Sequence, residues 1–336
     1  MKPKVLFAVV DEYYSRLFLK NDLERIASLC DIIDSEIPNK KDDKDFILQY
    51  IAEADIIISS WDTANLDAEV MNKATNLKLL THAAGSVKPV VSDALFEQDV
   101  RVTSSAAAIS YGVSEFCLGM MLLAPKRVFW AMQETRKGNW REGLEYLNGA
   151  FEIYGQKIGI IGASHVGRHL IRLLHNFNCE ILLYDPYCSS EEATIMNVTK
   201  TETLEELFSQ CRVISLNAPS TSQTEGMIKG EHFRLLQEGS VFINTARGTI
   251  VNEKEMIEEL KKERFIACLD VTDPEPPAED SPLRTLPNVI LTPHEAGVVA
   301  ENMARLGTFV ATEIEAYINN QPLHFEVKKE QLTTIG

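Results

Sequence analysis

The stretch KIGIIGASHVGRHLIRLL, Lys157 to Leu174, limits what this chain can fold into more than any other segment. An apolar strand pattern, Lys157 to Ile161, runs into Gly162, Ser164 and Gly167, and then into apolar residues at helical spacing. In such a strand–turn–helix the first glycine permits the tight turn and the last lets helix and strand pack closely. A pyrophosphate can then sit on the N–H groups of the helix start. Ser164 stands where the usual pattern has its middle glycine. It is small enough for close phosphate approach, and its hydroxyl can add a hydrogen bond. A second apolar strand, Ile181 to Tyr184, ends on Asp185. That is about the interval, roughly 20 residues, at which an acidic residue meets the adenosine ribose. Strand, glycine turn, helix, strand and terminal Asp in this order predict a dinucleotide-binding unit on a parallel sheet.

Three further side chains follow short apolar runs in the second half: Arg247 in INTARGTIV, Glu275 in LDVTDPEPP and His294 in NVILTPHEAG. Each run reads as a strand, so all three are expected at one edge of a parallel sheet. A fixed positive charge can hold a substrate carboxylate. A carboxylate beside an imidazole favours the protonated ring, which can then deliver a proton to a carbonyl oxygen. Downstream of a dinucleotide turn, the trio suits hydride transfer. Taken singly, each residue has a plainer reading: a core histidine, a solvated acid in a proline loop, a structural ion pair.

With 336 residues, the chain exceeds what one core ordinarily fills, so two domains are expected. A formal charge of -16 argues against nucleic acid or an anionic membrane surface as a partner. It also makes the local positive charge of Arg247 more telling for an anionic substrate. Cys30, Cys117, Cys179, Cys188, Cys211 and Cys268 form no CxxC pair. Reduced thiols in a cytoplasmic protein are the expectation. The apolar stretch after Met1 is too short for a signal peptide, and Phe116 to Ala124 is expected as a buried helix segment rather than a membrane span. His165 and His169 are spaced as a helical pair, but no third ligand is evident and no metal is expected.

The first hundred residues alternate strand and helix patterns without a glycine-rich turn. VLFAVV, DIIISS, LKLLTHA and VRVTSSA read as strands; Ser15 to Cys30 and Leu66 to Ala74 read as helices. A helix-like segment runs from near Ser110 toward Arg136, and a last helix from Val298 to Ile318. Later strands are expected at Ile181, Val213, Val241, Phe265 and Val289, with helix caps at Thr203 (Glu206) and Asn252 (Glu255). Such alternation implies parallel sheets with right-handed crossovers.

From Arg212 to Gly297 the blocks VISLNAPSTSQTEGMI, LLQEGSVFINTARGTIVNE, ACLDVTDPEPP and NVILTPHEAG appear in order. With them the chain resembles the D-isomer-specific 2-hydroxyacid dehydrogenases over nearly its whole length. The resemblance implies an α/β fold of two Rossmann-like or flavodoxin-like domains with parallel sheets, the cofactor domain inserted into the substrate domain. Residues 1–105 and 298–336 would form the substrate-binding domain and 106–297 the NAD-binding Rossmann domain. It implies Arg247, Glu275 and His294 as the catalytic residues and NAD as the cofactor. Pyrophosphate contacts would come from His165 and Val166 beside Gly162, Ser164 and Gly167, and the ribose contact from Asp185. Ala218, Pro219 and Thr224 would line the adenosine side. Thr245, Ala246, Asp270 and Gly297 would serve the nicotinamide side.

The family's substrate loop falls on Gly85 and Ser86, within HAAGSVKPVV, where the family more often has a glycine-rich version ending in Asp. Its sequence does not name the substrate. Ser59-Ser60-Trp61-Asp62-Thr63 follows the Ile56 strand where the phosphoglycerate enzymes place an arginine, which argues for a non-phosphorylated 2-oxo acid. The resemblance further implies a homodimer formed through the cofactor domain. An NAD(H)-sensing regulatory protein of the corepressor kind, on the same scaffold, is the alternative of a different class.

Overall fold

The computed structural model describes residues 2–33, 44–140, 147–297 and 300–335. The chain divides into two compact units, Met1–Ile109 with Val298–Gly336, and Ser110–Gly297.

In the first unit five strands form one parallel sheet: β1 (Lys4–Ala8), β2 (Asp31–Ile32), β3 (Ile56–Ser59), β4 (Leu79–His82) and β5 (Arg101–Ser104), in the order β2-β1-β3-β4-β5. β3 and β4 are buried along their whole length, as parallel strands covered on both faces are. The register aligns Ser59 with His82 and His82 with Ser104, so three polar residues end three adjacent strands. The helix Ala304–Ile318 packs on this sheet through Leu306, Val310 and Ile314. Its Gly307 lies so close to an earlier helix end that a Cβ would come within 2.0 Å of the Leu17 carbonyl oxygen.

In the second unit seven strands form another parallel sheet: β6 (Lys157–Ile161), β7 (Glu180–Tyr184), β8 (Thr199–Lys200), β9 (Val213–Leu216), β10 (Ser240–Asn244), β11 (Phe265–Leu269) and β12 (Val289–Leu291). Their order is β12-β11-β10-β9-β6-β7-β8. The strand order reverses between β6 and β9, and in open sheets of this kind ligands bind outside the strand C-termini at that reversal. Phe208, Phe233, Phe242 and Phe265 form the aromatic centre of the core, with Phe233 and Phe265 stacked at 5.2 Å.

Several elements differ from the sequence expectation. The helix expected over Ser15 to Cys30 is two helices, Asp11–Leu17 and Lys20–Leu29. Phe18 is extended between them, its ring turned inward against Phe7 at 5.3 Å. The run from Ser110 toward Arg136 is also broken, into Ala106–Leu123 and Val128–Arg136. Pro125 follows the first, and Arg127 turns the chain with φ 58. Phe116 to Ala124 is not a uniformly buried segment, since Leu123 is 41% exposed. Helix Ala106–Leu123 is moreover the one described helix long and apolar enough to cross a membrane, by length and composition, with a third of its span buried. Small residues upstream of Phe116 lengthen the apolar run beyond the segment singled out from sequence.

Val298 and Val299, where the last helix was expected to begin, lie outside the described residues. Beyond them come a 3-10 turn, Ala300–Met303, and the helix from Ala304. The two-residue strands β2 and β8 carry too little apolar pattern to be seen in sequence.

Candidate active site

The dinucleotide turn has the local geometry its residues dictate. Gly162 takes φ +95, and a Cβ there would lie 2.7 Å from the Ala218 backbone. At Gly167 a Cβ would come within 2.0 Å of the Gly162 carbonyl oxygen, so the helix meets the strand end only because Gly167 lacks a side chain. Ser164 caps the helix His165–Leu174, its hydroxyl accepting from the Gly167 N–H at 3.3 Å. The N–H groups of His165 and Val166 find no acceptor among the described residues. Two unpartnered donors at the positive end of a helix fit a pyrophosphate. Although the His165 side chain reaches solvent, desolvation by its neighbours, followed by the Arg168 charge, lowers its pKa.

Asp185 directly follows β7, as expected. One carboxylate oxygen accepts the Ala163 N–H at 2.6 Å, the other the Tyr187 and Cys188 N–H groups at 2.8 and 3.2 Å. The acid is thus held rigidly beside the glycine turn. Across the sheet reversal, Ala218 is buried and Thr224 Oγ1 donates to the Pro219 carbonyl at 2.6 Å, fixing the loop after β9. Thr245 is buried with its hydroxyl 3.2 Å from the Cys117 Sγ. Gly297 lies against Gly112, where a Cβ would come within 2.6 Å of the Gly297 carbonyl oxygen.

Arg247, Glu275 and His294 stand in the loops after β10, β11 and β12, three adjacent strands. Nδ1 of His294 lies 2.5 Å from Oε1 of Glu275, and both side chains are partly open to solvent. His294 takes a left-handed φ of 53 and donates its N–H to the Asp270 carbonyl at 3.0 Å. The Asp270 side chain, 2% exposed, organises the same loop. It accepts from Thr292 Oγ1 at 2.6 Å and from the Glu295 and Ala296 N–H groups at 3.0 and 2.9 Å. Its hydrogen-bonding capacity is thus directed at the His294 loop, a role that its position in the sequence did not reveal.

Arg247 is exposed, and among the described residues it forms no ion pair. Its Nη1 donates to the neighbouring Ala246 carbonyl at 2.6 Å. The buried Asn244 fixes the backbone here, donating to the Arg247 carbonyl at 3.1 Å and accepting from the Ala246 N–H at 3.0 Å. Gly248 then packs directly on the next loop, where a Cβ would lie 2.1 Å from the Thr272 carbonyl. A buried Asn at a strand end, two residues before a small residue and three before an arginine, was the available signal for this support.

In the first unit, Gly85 and Ser86 follow β4. His82, the last residue of that strand, is 2% exposed, and burial pushes its imidazole pKa down to about 4. Among the described residues no group of three or more His, Cys, Asp or Glu could hold a metal ion. His169 instead packs edge-on against Tyr111 at 4.6 Å. All six cysteines are free.

Residues 118–296 match the family model for the D-isomer specific 2-hydroxyacid dehydrogenase, NAD binding domain. The chain belongs to the D-isomer specific 2-hydroxyacid dehydrogenases. NAD(H) is accordingly its cofactor. The chain is 32% identical to the D-3-phosphoglycerate dehydrogenase of Methanocaldococcus jannaschii over 280 residues, covering 83% of this chain and 52% of that protein. The chain thus spans about half the length of that relative. It is 28% identical to the glyoxylate reductase of Thermofilum pendens over 325 residues, 95% of each. Among solved structures, apo D-mandelate dehydrogenase of Rhodotorula graminis shares this fold, with a TM-score of 0.85 at 22% identity and 98% of each chain covered.

Proposed function

We propose that this dehydrogenase reduces a 2-oxo acid to the D-2-hydroxy acid, and catalyses the reverse oxidation, with Arg247, Glu275 and His294 as its catalytic residues. The contact that carries this reading is the 2.5 Å approach of His294 Nδ1 to Glu275, one strand from an arginine without an ion-pair partner among the described residues. Bound NADH supplies the hydride. With Nδ1 engaged by Glu275, the other ring nitrogen of His294 is left to give its proton to the carbonyl oxygen, and Glu275 stabilises the imidazolium before transfer. The Arg247 fork clamps the substrate carboxylate, for which a planar guanidinium is better suited than an ammonium. Asp270 acts through the backbone of the His294 loop.

The N–H groups of His165 and Val166, in the turn made by Gly162, Ser164 and Gly167, hold the pyrophosphate, and Asp185 accepts from the adenosine ribose. Ala218, Pro219 and Thr224 serve the adenosine end, and Thr245, Ala246 and Gly297 the nicotinamide end. Gly85 and Ser86 offer backbone N–H groups to the substrate carboxylate. The substrate is a non-phosphorylated 2-oxo acid. Trp61 is half-buried with its ring 5.4 Å from that of Tyr13, and Asp62 accepts from the Tyr13 hydroxyl at 3.3 Å, an apolar wall beside a negative charge that disfavours a phosphate dianion. We further propose a homodimer formed through the cofactor domain, supported by the exposure of Leu123 and Met132. Its place is the reducing cytoplasm, consistent with the free thiols, with neither nucleic acid nor a membrane as partner.

An NADH-oxidation screen over glyoxylate, pyruvate, hydroxypyruvate, its phosphate ester and bulkier 2-oxo acids tests the reading. His294→Ala is expected to lower kcat by about 10²- to 10⁴-fold while leaving NADH binding intact. Wild-type protein that binds NADH yet turns over no 2-oxo acid refutes the activity. A higher kcat/KM for the phosphate ester than for hydroxypyruvate refutes the substrate class.

A further inference from the structure

The loop after β11 that carries Glu275 has little backbone of its own to hold it. In Asp273-Pro274-Glu275-Pro276-Pro277 three of the five residues are proline and offer no N–H. Among the described residues, none of the five enters a backbone–backbone hydrogen bond. Side chains hold the loop instead. Oε2 of Glu253 accepts the Asp273 N–H at 3.0 Å, which fixes the peptide joining Thr272 to Asp273. The Thr272 carbonyl of that same peptide lies against Gly248, where a Cβ would come within 2.1 Å of it. The hydroxyl of Thr272, a buried residue, donates to the Pro274 carbonyl at 2.8 Å. That carbonyl belongs to the peptide leading into Glu275, so the hold passes from Glu253 through Thr272 and Pro274 to Glu275.

Glu253 opens the helix Glu253–Leu260, whose cap is supplied by the neighbouring Asn252. It is half-buried, and no cation pairs with it among the described residues. Burial pushes its carboxyl pKa up, the Asp273 N–H pulls it part of the way back, and the Asp273 charge adds to the rise. The helix gains nothing from a half-buried carboxylate beside a second one, whereas the Asp273 N–H requires an acceptor that the backbone does not supply. We propose that Glu253 is a positioning residue for the proton relay, setting where Glu275 meets His294 by holding the peptide between Thr272 and Asp273. This rests on the reading of Glu275 and His294 as that relay.

Glu253→Ala and Glu253→Gln are compared with wild type, Glu275→Gln and the double variant Glu253→Ala/Glu275→Gln. The assay is steady-state reduction of the best 2-oxo acid of the screen, across pH. Alanine removes the acceptor, whereas glutamine keeps an oxygen at the same reach and discards the charge. Glu253→Ala is expected to lower kcat about 10-fold, part of the roughly 10²-fold that a displacement of about 1 Å costs. Substrate KM and the NADH Kd should stay within about threefold. The alkaline limb of its kcat/KM profile should move in the direction in which Glu275→Gln moves it. Glu253→Gln should recover most of the lost kcat, and the double variant should be no slower than Glu275→Gln alone. Should Glu253→Ala not fold, Glu253→Asp decides in its place, since its shorter side chain suits a helix start but stops short of the Asp273 N–H. A folded variant with wild-type kcat and pH profile overturns the positioning role and leaves the relay standing. A Glu253→Gln as slow as Glu253→Ala, or a double variant slowed by the full product of the single changes, overturns it in favour of a general electrostatic or structural role. Glu275→Gln with wild-type kcat and pH profile removes Glu275 from the relay, and this inference with it.

Discussion

Substituting Gly248 by alanine changes one hydrogen into a methyl group, yet it should disable the site. The residue follows Arg247 and opens the 3-10 turn Gly248–Ile250. An added Cβ would lie 2.1 Å from both the carbonyl carbon and oxygen of Thr272, and 2.6 Å from the Asp273 nitrogen. Heavy atoms in ordinary contact stand about 3.5–4.0 Å apart, so the two loops must separate by more than about 1 Å. One of these loops holds Arg247 and the other leads into Glu275, which is bonded to His294. Misplacement of reacting groups by about 1 Å costs on the order of 10²-fold in rate, or about 2.7 kcal/mol at 1.36 kcal/mol per decade. Overpacking adds a stability loss of about 1–3 kcal/mol. Gly248→Ala should therefore lower kcat/KM about 100-fold in an NADH-oxidation assay, while the NADH Kd, measured by fluorescence, stays within about threefold. A folded variant that keeps kcat/KM within about threefold of wild type would falsify the claim that this contact sets the distance between the proposed carboxylate clamp and the proposed proton relay.

Two further outcomes follow from named contacts. NADH should be preferred over NADPH by at least about 10-fold in kcat/KM, because Asp185 in its proposed ribose contact would repel a 2′-phosphate and the nearby Arg168 is already paired with Glu192 at 2.9 Å; equal efficiencies would contradict this. His82 links stability to pH. Its folded pKa of about 4 lies below the ordinary 6.5, so its contribution is complete above about pH 6.5 and is lost as pH falls toward 4. At 1.36 kcal/mol per unit the loss is roughly 3 kcal/mol. The stability gap between wild type and His82→Gln, from urea unfolding, should narrow by about that amount between pH 7 and pH 4, and a gap independent of pH would show that the imidazole does not titrate as its burial implies.

The sequence by itself determined the parts governed by short-range rules. The glycine turn from Gly162 to Gly167 is legible because φ > 0 and a missing Cβ restrict the residue type at each position, and the structure puts close backbone contacts at both glycines. The caps at Thr203 and Asn252 are legible for the same reason, each side chain bonding a backbone N–H three residues on. The placement of Arg247, Glu275 and His294 beyond three strands follows from apolar runs ending at polar loops. Tertiary structure alone decided what depends on distant neighbours. The helix break at Phe18 comes from where an aromatic ring finds its core, and Gly307 admits a helix from the other end of the chain. No local pattern shows that Asp270 holds the His294 loop, or that Ser59, His82 and Ser104 end three adjacent strands side by side. Those residues are far apart in sequence, and only the register of a parallel sheet, fixed by burial of both its faces, brings their hydrogen-bonding groups within reach.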